Sequence, residues 1–284
     1  MGQIEDKAWE LMVDGYDLHV HSAPSAFPRA LDSWELVHEA SQAGMAGVLL
    51  KSHYESTAIR AELINRHINC KTKAYGGLAL NWPVGGLNVY AVENALKVGA
   101  KVIWMPTRDS ANSLRYGNMD GDFFSRKGIC ILDENEQLKA SVFEILDTVK
   151  KHGATLATGH LSPKESILLC RVGRSRGVRM ILTHPEFSRT KVPVEIQKGL
   201  ADEGVLIEKN WLNVIQGTIS IEEMAQTIRQ VGCGRTFIAT DRGQKGAPHP
   251  TSELHRFICA LLEQGLTGSQ IRDMVCSVPK SIVD

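Results

Sequence analysis

Eight short apolar runs, each followed by a helical pattern, constrain the fold of this chain more than any other feature. The runs lie at residues 16–21, 46–51, 73–80, 100–106, 154–160, 179–184, 204–209 and 236–241. Most are apolar without interruption, as expected of strands covered on both faces in a parallel sheet. The segments between them carry helix signals. Asp32-Ser-Trp-Glu-Leu-Val-His-Glu-Ala-Ser-Gln-Ala-Gly44 opens on a capping residue and closes on glycine. Residues 56–69, 88–98, 135–152, 162–176, 193–203, 220–231 and 251–264 follow the same logic. Eight strand–helix units in 284 residues describe a (β/α)8 TIM barrel, with its active site at the carboxyl ends of the strands. A doubly wound open sheet is the competing architecture. It would scatter the first, fifth, sixth and eighth strands along the sheet.

The barrel takes in the whole chain as one domain, 1–284, with two additions. Residues 1–15 read as an extra helix, centred on 3–14, that would cover the barrel bottom. The stretch 108–134 is longer than an ordinary connection, which points to a lid or a subunit contact. Its tail, 128–139, reads as a small hairpin or turn. The 32 basic and 32 acidic side chains cancel, so nothing electrostatic argues for nucleic acid or a membrane surface as partner. No apolar stretch is long enough to span a bilayer, and Met1-Gly-Gln-Ile-Glu-Asp6 has neither the basic start nor the apolar core of a signal peptide. The six cysteines are dispersed without a Cys-x-x-Cys pair, so they read as small core residues in a reducing compartment. A cytoplasmic protein is expected.

Four of the apolar runs close on polar residues. They are Tyr16-Asp-Leu-His-Val-His21, Ala154-Thr-Leu-Ala-Thr-Gly-His160, Arg179-Met-Ile-Leu-Thr-His184 and Thr236-Phe-Ile-Ala-Thr-Asp241. Side chains alternate along a strand, so His19 and His21 share a face. In a parallel sheet all five polar side chains meet at one end. His-x-His is a weak signal alone; its agreement in order and register with His160, His184 and Asp241 carries the inference. Imidazole nitrogens and one carboxylate suit zinc, with manganese and iron as alternatives. Such an ion lowers the pKa of water and polarises a carbonyl oxygen. An ionised Asp241 would be both ligand and proton-transferring base.

This constellation resembles the amidohydrolase superfamily of metal-dependent barrel hydrolases. His19-x-His21 is similar to its first-strand pair, His160 and His184 to its fifth- and sixth-strand histidines, and Asp241 to its eighth-strand aspartate. The ending Met274-Val-Cys-Ser-Val-Pro-Lys-Ser-Ile-Val283 is similar to the Asn-Pro-Ala-Lys-Leu-Leu ending common there. The resemblance implies a hydrolase of a small cyclic amide, amide or lactone that uses one or two divalent ions. It also implies a homo-oligomer. A metal-dependent decarboxylase or other lyase would reuse the same ligands. A non-catalytic barrel that keeps its metal would have no need of a base such as Asp241.

The chain departs from the family at the fourth strand, where binuclear members carry a bridging glutamate or carboxylated lysine. Here that strand reads Lys101-Val-Ile-Trp-Met-Pro-Thr107 and offers neither at its end. Either the site holds one metal, or the bridge comes from Gly47-Val-Leu-Leu-Lys51-Ser-His53 on strand 2. Lys51 is therefore a candidate ligand, carboxylated or otherwise, and His53 a candidate for substrate contact or proton transfer.

Arg29, Asn81, Arg108, Asn210 and Arg242 follow strands 1, 3, 4, 7 and 8 and are candidates for substrate binding; a guanidinium matches carboxylate and carbonyl oxygens well. Glu208 is placed to orient the site from below. His38, His67, His152 and His255 sit on helical patterns and read as ordinary surface or core residues, while His249, after strand 8, could border the site. The glycine pairs after Tyr75 and Val84 lack the Lys-Ser/Thr of a phosphate loop. No Gly-x-Ser-x-Gly elbow is present.

Overall fold

The computed structural model describes residues 2–117 and 119–284. Its strands are β1 (Tyr16–Val20), β2 (Gly47–Leu50), β3 (Lys73–Ala79), β4 (Ala100–Trp104), β5 (Thr155–Ala157), β6 (Arg179–Leu182), β7 (Leu206–Asn210) and β8 (Thr236–Ala239). Consecutive strands pair in parallel from β1 through to β8, with helices in the connections. The helices start where their caps require. Asp32, Ser162 and Ser220 each form a capping box with the glutamate three residues on.

The sheet closes on itself, which rules out the open doubly wound alternative. β8 meets β1 through the parallel bridge Val20↔Arg242, with Asp241 N donating to His19 O at 2.9 Å and His21 N to Arg242 O at 2.8 Å. Asp17 reinforces this seam. Its carboxylate accepts from His19 N, Thr240 N and Thr240 Oγ1. The architecture is thus a (β/α)8 barrel.

The barrel interior is packed with Tyr16, Leu49, Val102, Trp104, Ile181 and Phe237 among others, joined by Val278, Ile282 and Val283 from the C-terminal helix. That helix covers the bottom: Arg179, at the start of β6, donates to Ile282 O. The N-terminal helix (Gly2–Met12) does not do so, contrary to the sequence expectation. It buries Ala8 and Met12 against the outer helical layer and stacks Trp9 on His255 of the helix Pro250–Glu263, ring centroids 4.1 Å apart.

The long connection after β4 folds back over the carboxyl ends of the strands. It contains a short helix (Ala111–Arg115), a bridge Ser110↔Ile129 and the antiparallel bridge Leu132↔Leu138, the small hairpin anticipated in its tail. Arg108–Asp122 (2.7 Å), Arg126–Asp122 (3.1 Å) and Arg126–Asp109 ion pairs hold it. Asn118 of this stretch lies outside the described residues. No helix among the described residues is long and apolar enough to cross a membrane.

Candidate metal centre

His19 Nε2 and His21 Nε2 lie 3.1 and 3.0 Å from Asp241 Oδ1. One ligand atom from each of these three residues falls within 4.8 Å of the others. The second nitrogen of each ring is already engaged. His19 Nδ1 sits 2.5 Å from Glu208 Oε1, and His21 Nδ1 2.9 Å from the Lys51 carbonyl oxygen. A ring that donates from Nδ1 presents the Nε2 lone pair, the tautomer a metal ligand needs.

The same arrangement recurs around the site. His53 Nδ1 faces Thr107 Oγ1 at 2.9 Å, His160 Nδ1 faces Ser113 Oγ at 3.3 Å, and His184 Nδ1 lies 3.5 Å from Thr190 Oγ1. The five imidazoles form a closed ring. Centroids are 5.0 Å apart for His21 and His53, 6.1 Å for His53 and His160, and 5.0 Å for His160 and His184. His184 and His19 follow at 5.8 Å, and His19 and His21 close the ring at 5.5 Å.

Burial sets the charge state. It drives the pKa of His21 down to about 3, with Arg29 adding to the effect, and that of His184 down to about 4. His53 and His160 are also held well below the ordinary imidazole value by burial and by neighbouring cationic groups. His19 goes the other way. Burial opposes its charge, but Asp241 and Glu208 outweigh it and lift the pKa to about 9. Asp241 is part-buried, which opposes its charge, yet His19 and His21 hold its carboxyl well below the usual range. His21, His53, His160 and His184 are thus neutral, His19 shares its proton with Asp241 and Glu208, and a divalent cation would take the place of that proton at Nε2, so the set suits such an ion.

Glu208 holds the Nδ1 side of the His19 ring. Glu208→Gln should weaken zinc binding by about 10- to 100-fold, the usual effect of losing such a partner. A competition titration with a chromophoric chelator reads this directly. An unchanged affinity would mean the Glu208–His19 contact does not orient the ring.

Local backbone delivers two of these side chains at a cost. His184 and Asp241 have φ of 26° and 53°, in the left-handed region that non-glycine residues avoid. Each such residue costs about 1–3 kcal/mol, and such strain collects at functional sites. His160 arrives differently. β5 ends at Ala157, and Gly159 turns the chain with φ 60°. A Cβ on Gly159 would stand 2.3 Å from the Met105 carbonyl oxygen, so only glycine fits.

The interior end of β4 is filled by Trp104, which explains the missing fourth-strand bridge. Lys51 reaches over that indole from β2, its Nζ 5.3 Å from the ring centroid and 2.7 Å from His19 Nε2. Burial lowers the pKa of this ammonium group. Lys51 therefore stands at the histidine cluster, where the β2 alternation put it.

Above the ring opens a cavity of about 540 Å³ lined by His21, Lys51, His53, His160, His184 and Asp241. Arg29 and Arg108 also line it, as do Met119, Asp120 and Gly121 of the long connection. Three of the other sequence candidates stand elsewhere. Asn81 is wholly buried and joins loops: its amide donates to His53 O and Thr107 Oγ1 and accepts from Thr107 N and Asp109 N. Arg242 turns outward onto Glu253 at 3.2 Å, and Asn210 lies beneath the cavity, 3.4 Å from His19 Nδ1. His249 pairs with Glu39 in a groove on the outer wall.

Sequence reasoning missed Arg189, which lines the cavity from the loop after β6. Its place five residues beyond His184 was the available signal. It also missed the fully buried Lys209, which faces away from the interior and binds Glu186 and Gln197. That contact anchors the loop that carries His184. A lysine inside an apolar strand pattern was the signal there.

The fold as a whole matches solved structures along nearly its full length. An amidohydrolase from Pseudomonas aeruginosa aligns over 97% of this chain and 98% of its own, at 14% identity and a TM-score of 0.67. A TatD homolog from Escherichia coli K12 covers 96% and 98%, at 13% identity and 0.59. The organophosphorus hydrolase from Deinococcus radiodurans covers 96% and 94%, at 12% identity and 0.58. At these identities the likeness shows the fold alone, a (β/α)8 barrel of the kind the sequence resemblance implied. No curated protein sequence matches the chain. Residues 14–208 match the family of unknown function DUF6282, and the chain belongs to that family. The matched span includes all five ring histidines, Lys51 and Glu208, and stops before Asp241.

Proposed function

We propose that this protein is a divalent-metal-dependent hydrolase of a small amide, cyclic amide or lactone. The convergence of His19 Nε2 and His21 Nε2 on Asp241 Oδ1 carries the reading, supported by Glu208 and the Lys51 carbonyl, which engage the Nδ1 side of each ring. His19, His21 and Asp241 would hold one ion, zinc first, with manganese or iron as alternatives. His160, His184 and Lys51, as amine or as its carbamate, would hold a second. A divalent ion there supplies Lewis acidity toward the scissile carbonyl.

The chain's own residues do the rest. Asp241 Oδ1 faces the two histidines, which leaves Oδ2 to take a proton from the attacking water and pass it to the leaving group. His53, neutral and tethered by Thr107, presents Nε2 to the substrate or leaving group. Arg29 and Arg108 contact the substrate from the cavity wall. The long connection limits water at the mouth by contributing residues 119–121 to that wall.

The test is activity on a panel of lactones, cyclic amides and linear amides before and after chelation. Turnover should vanish with the metal and return with zinc or manganese. Full activity in chelated protein, or no turnover in any metal-loaded form, would overturn the reading. Release of carbon dioxide instead of hydrolysis products would make the same ligand set that of a lyase.

A further inference from the structure

The cavity wall carries an excess of positive charge that the metal centre does not use. Apart from Lys51 of the histidine cluster, Arg29, Arg108 and Arg189 line it, against the carboxylates of Asp120 and Asp241. Asp241 belongs to the histidine cluster. Arg108 and Arg29 both stand over the Phe27 ring, their guanidinium carbons 4.2 and 5.6 Å from its centroid. Both cations stand within cation–π distance of the same ring.

Their hydrogen bonding is incomplete. Arg108 spends Nη1 on Asp122 and Nη2 on the Asp120 carbonyl, but its buried Nε has no acceptor. Arg29 has a buried Nε without an acceptor and no ion pair among the described residues. Buried donors without partners are uncommon, and a planar oxyanion matches a guanidinium edge. The backbone under Arg29 is fixed, paired with Gln244 in an antiparallel bridge, and Ala30 N donates to Gly243 O at 3.0 Å. Arg29 is thus held next to the loop that carries Asp241.

We propose that Arg29 and Arg108, across Phe27, form a carboxylate subsite, so that the substrate is a small organic acid whose carboxylate docks there while its scissile group lies at the histidine cluster. This rests on the catalytic reading above for where the scissile group sits, but the anion site itself is testable without any turnover. Arg29 is the anchor because none of its nitrogens is committed to a protein carboxylate. Arg108 is half-committed and completes the pair. Phe27 supplies the aromatic ring that both guanidinium groups contact.

The experiment is calorimetric titration of chelator-treated, full-length protein with glutarate, its neutral diamide and inorganic phosphate. Glutarate should bind and the diamide should not. Arg29→Gln should weaken glutarate binding by about 10- to 100-fold, the loss expected for one charged hydrogen-bonding partner. Arg29→Lys should recover part of it, which also controls for folding. Equal binding of glutarate by wild-type and Arg29→Gln, or equal binding of the diamide, would overturn the subsite. Tighter binding of phosphate than of glutarate would overturn its assignment to carboxylates. In metal-loaded protein, carboxylated lactones should be preferred over their methyl esters, and Arg29→Gln should erase the preference. Glutarate binding without any turnover would sink the hydrolase reading and leave the subsite standing.

Discussion

Asp241→Asn should leave the barrel folded and lower turnover of any true substrate by about 10²- to 10⁴-fold, the usual contribution of a positioned base. The two effects separate for a physical reason. Asparagine has nearly the volume of aspartate and tolerates left-handed backbone, so φ of 53° is no obstacle. What it lacks is an anion. The carboxylate now faces Nε2 of His19 and His21 and is held ionised by them. An amide oxygen can still face the rings but cannot take a proton from water. Asp241→Gly sharpens the test. Removing the strained side chain should stabilise the fold by about 1 kcal/mol while activity is lost, since left-handed strain is released. Kinetics on zinc-reconstituted protein, with melting curves alongside, measure both. Near-normal kcat in the asparagine variant would remove Asp241 from the chemistry.

Gly243→Ala should damage the fold and the site together. Gly243 follows the β8–β1 seam with φ of 128°, and an added Cβ would stand 1.8 Å from the His21 carbonyl oxygen. The obstacle is backbone, which cannot swing aside. Relief requires moving Gly243 or the segment carrying His21, and the hydrogen bond from His21 N to Arg242 O lies between them. The expected cost is at least about 2–3 kcal/mol, or roughly 5–10 °C in Tm for a domain of this size. Zinc content should fall with it, because His21 is displaced from Asp241. An alanine variant that melts like wild type and binds zinc normally would show that the seam adapts.

The two outcomes differ in kind. Asp241→Asn removes chemistry from an intact frame, whereas Gly243→Ala moves the frame. Their contrast tests whether the closure of the barrel and the assembly of the histidine ring are one event. The β8–β1 seam makes them so: Asp241 N bonds to His19 O, so the ladder that closes the barrel also sets candidate ligands side by side.

The sequence alone determined the strand–helix repeat and the identity of the polar cluster. Strands covered on both faces must be continuously apolar, so a histidine or aspartate closing such a run stands out. Lys51 and Asp241 were legible for the same reason. Leu49 and Ala239 face the interior, and two residues further along the strand direction the polar side chain follows the same face. Tertiary structure decided what alternation could not. Ala157 and Ile181 face the interior, so regular pleating would turn Gly159 and Thr183 inward and His160 and His184 away. Left-handed backbone at Gly159 and at His184 itself re-aims both rings, and no local pattern announces it. Glu208 was legible as a group that orients the site, but which ring it holds was not, because it meets His19 across 189 residues of chain. The fates of the arginines were hidden as well. Arg29 and Arg242 both follow strands; Arg242 is neutralised by Glu253 from a distant helix, while Arg29 forms no ion pair among the described residues and stays in the cavity wall. A strand-end position fixes where a side chain begins, and only the packed neighbours fix what it can still bind.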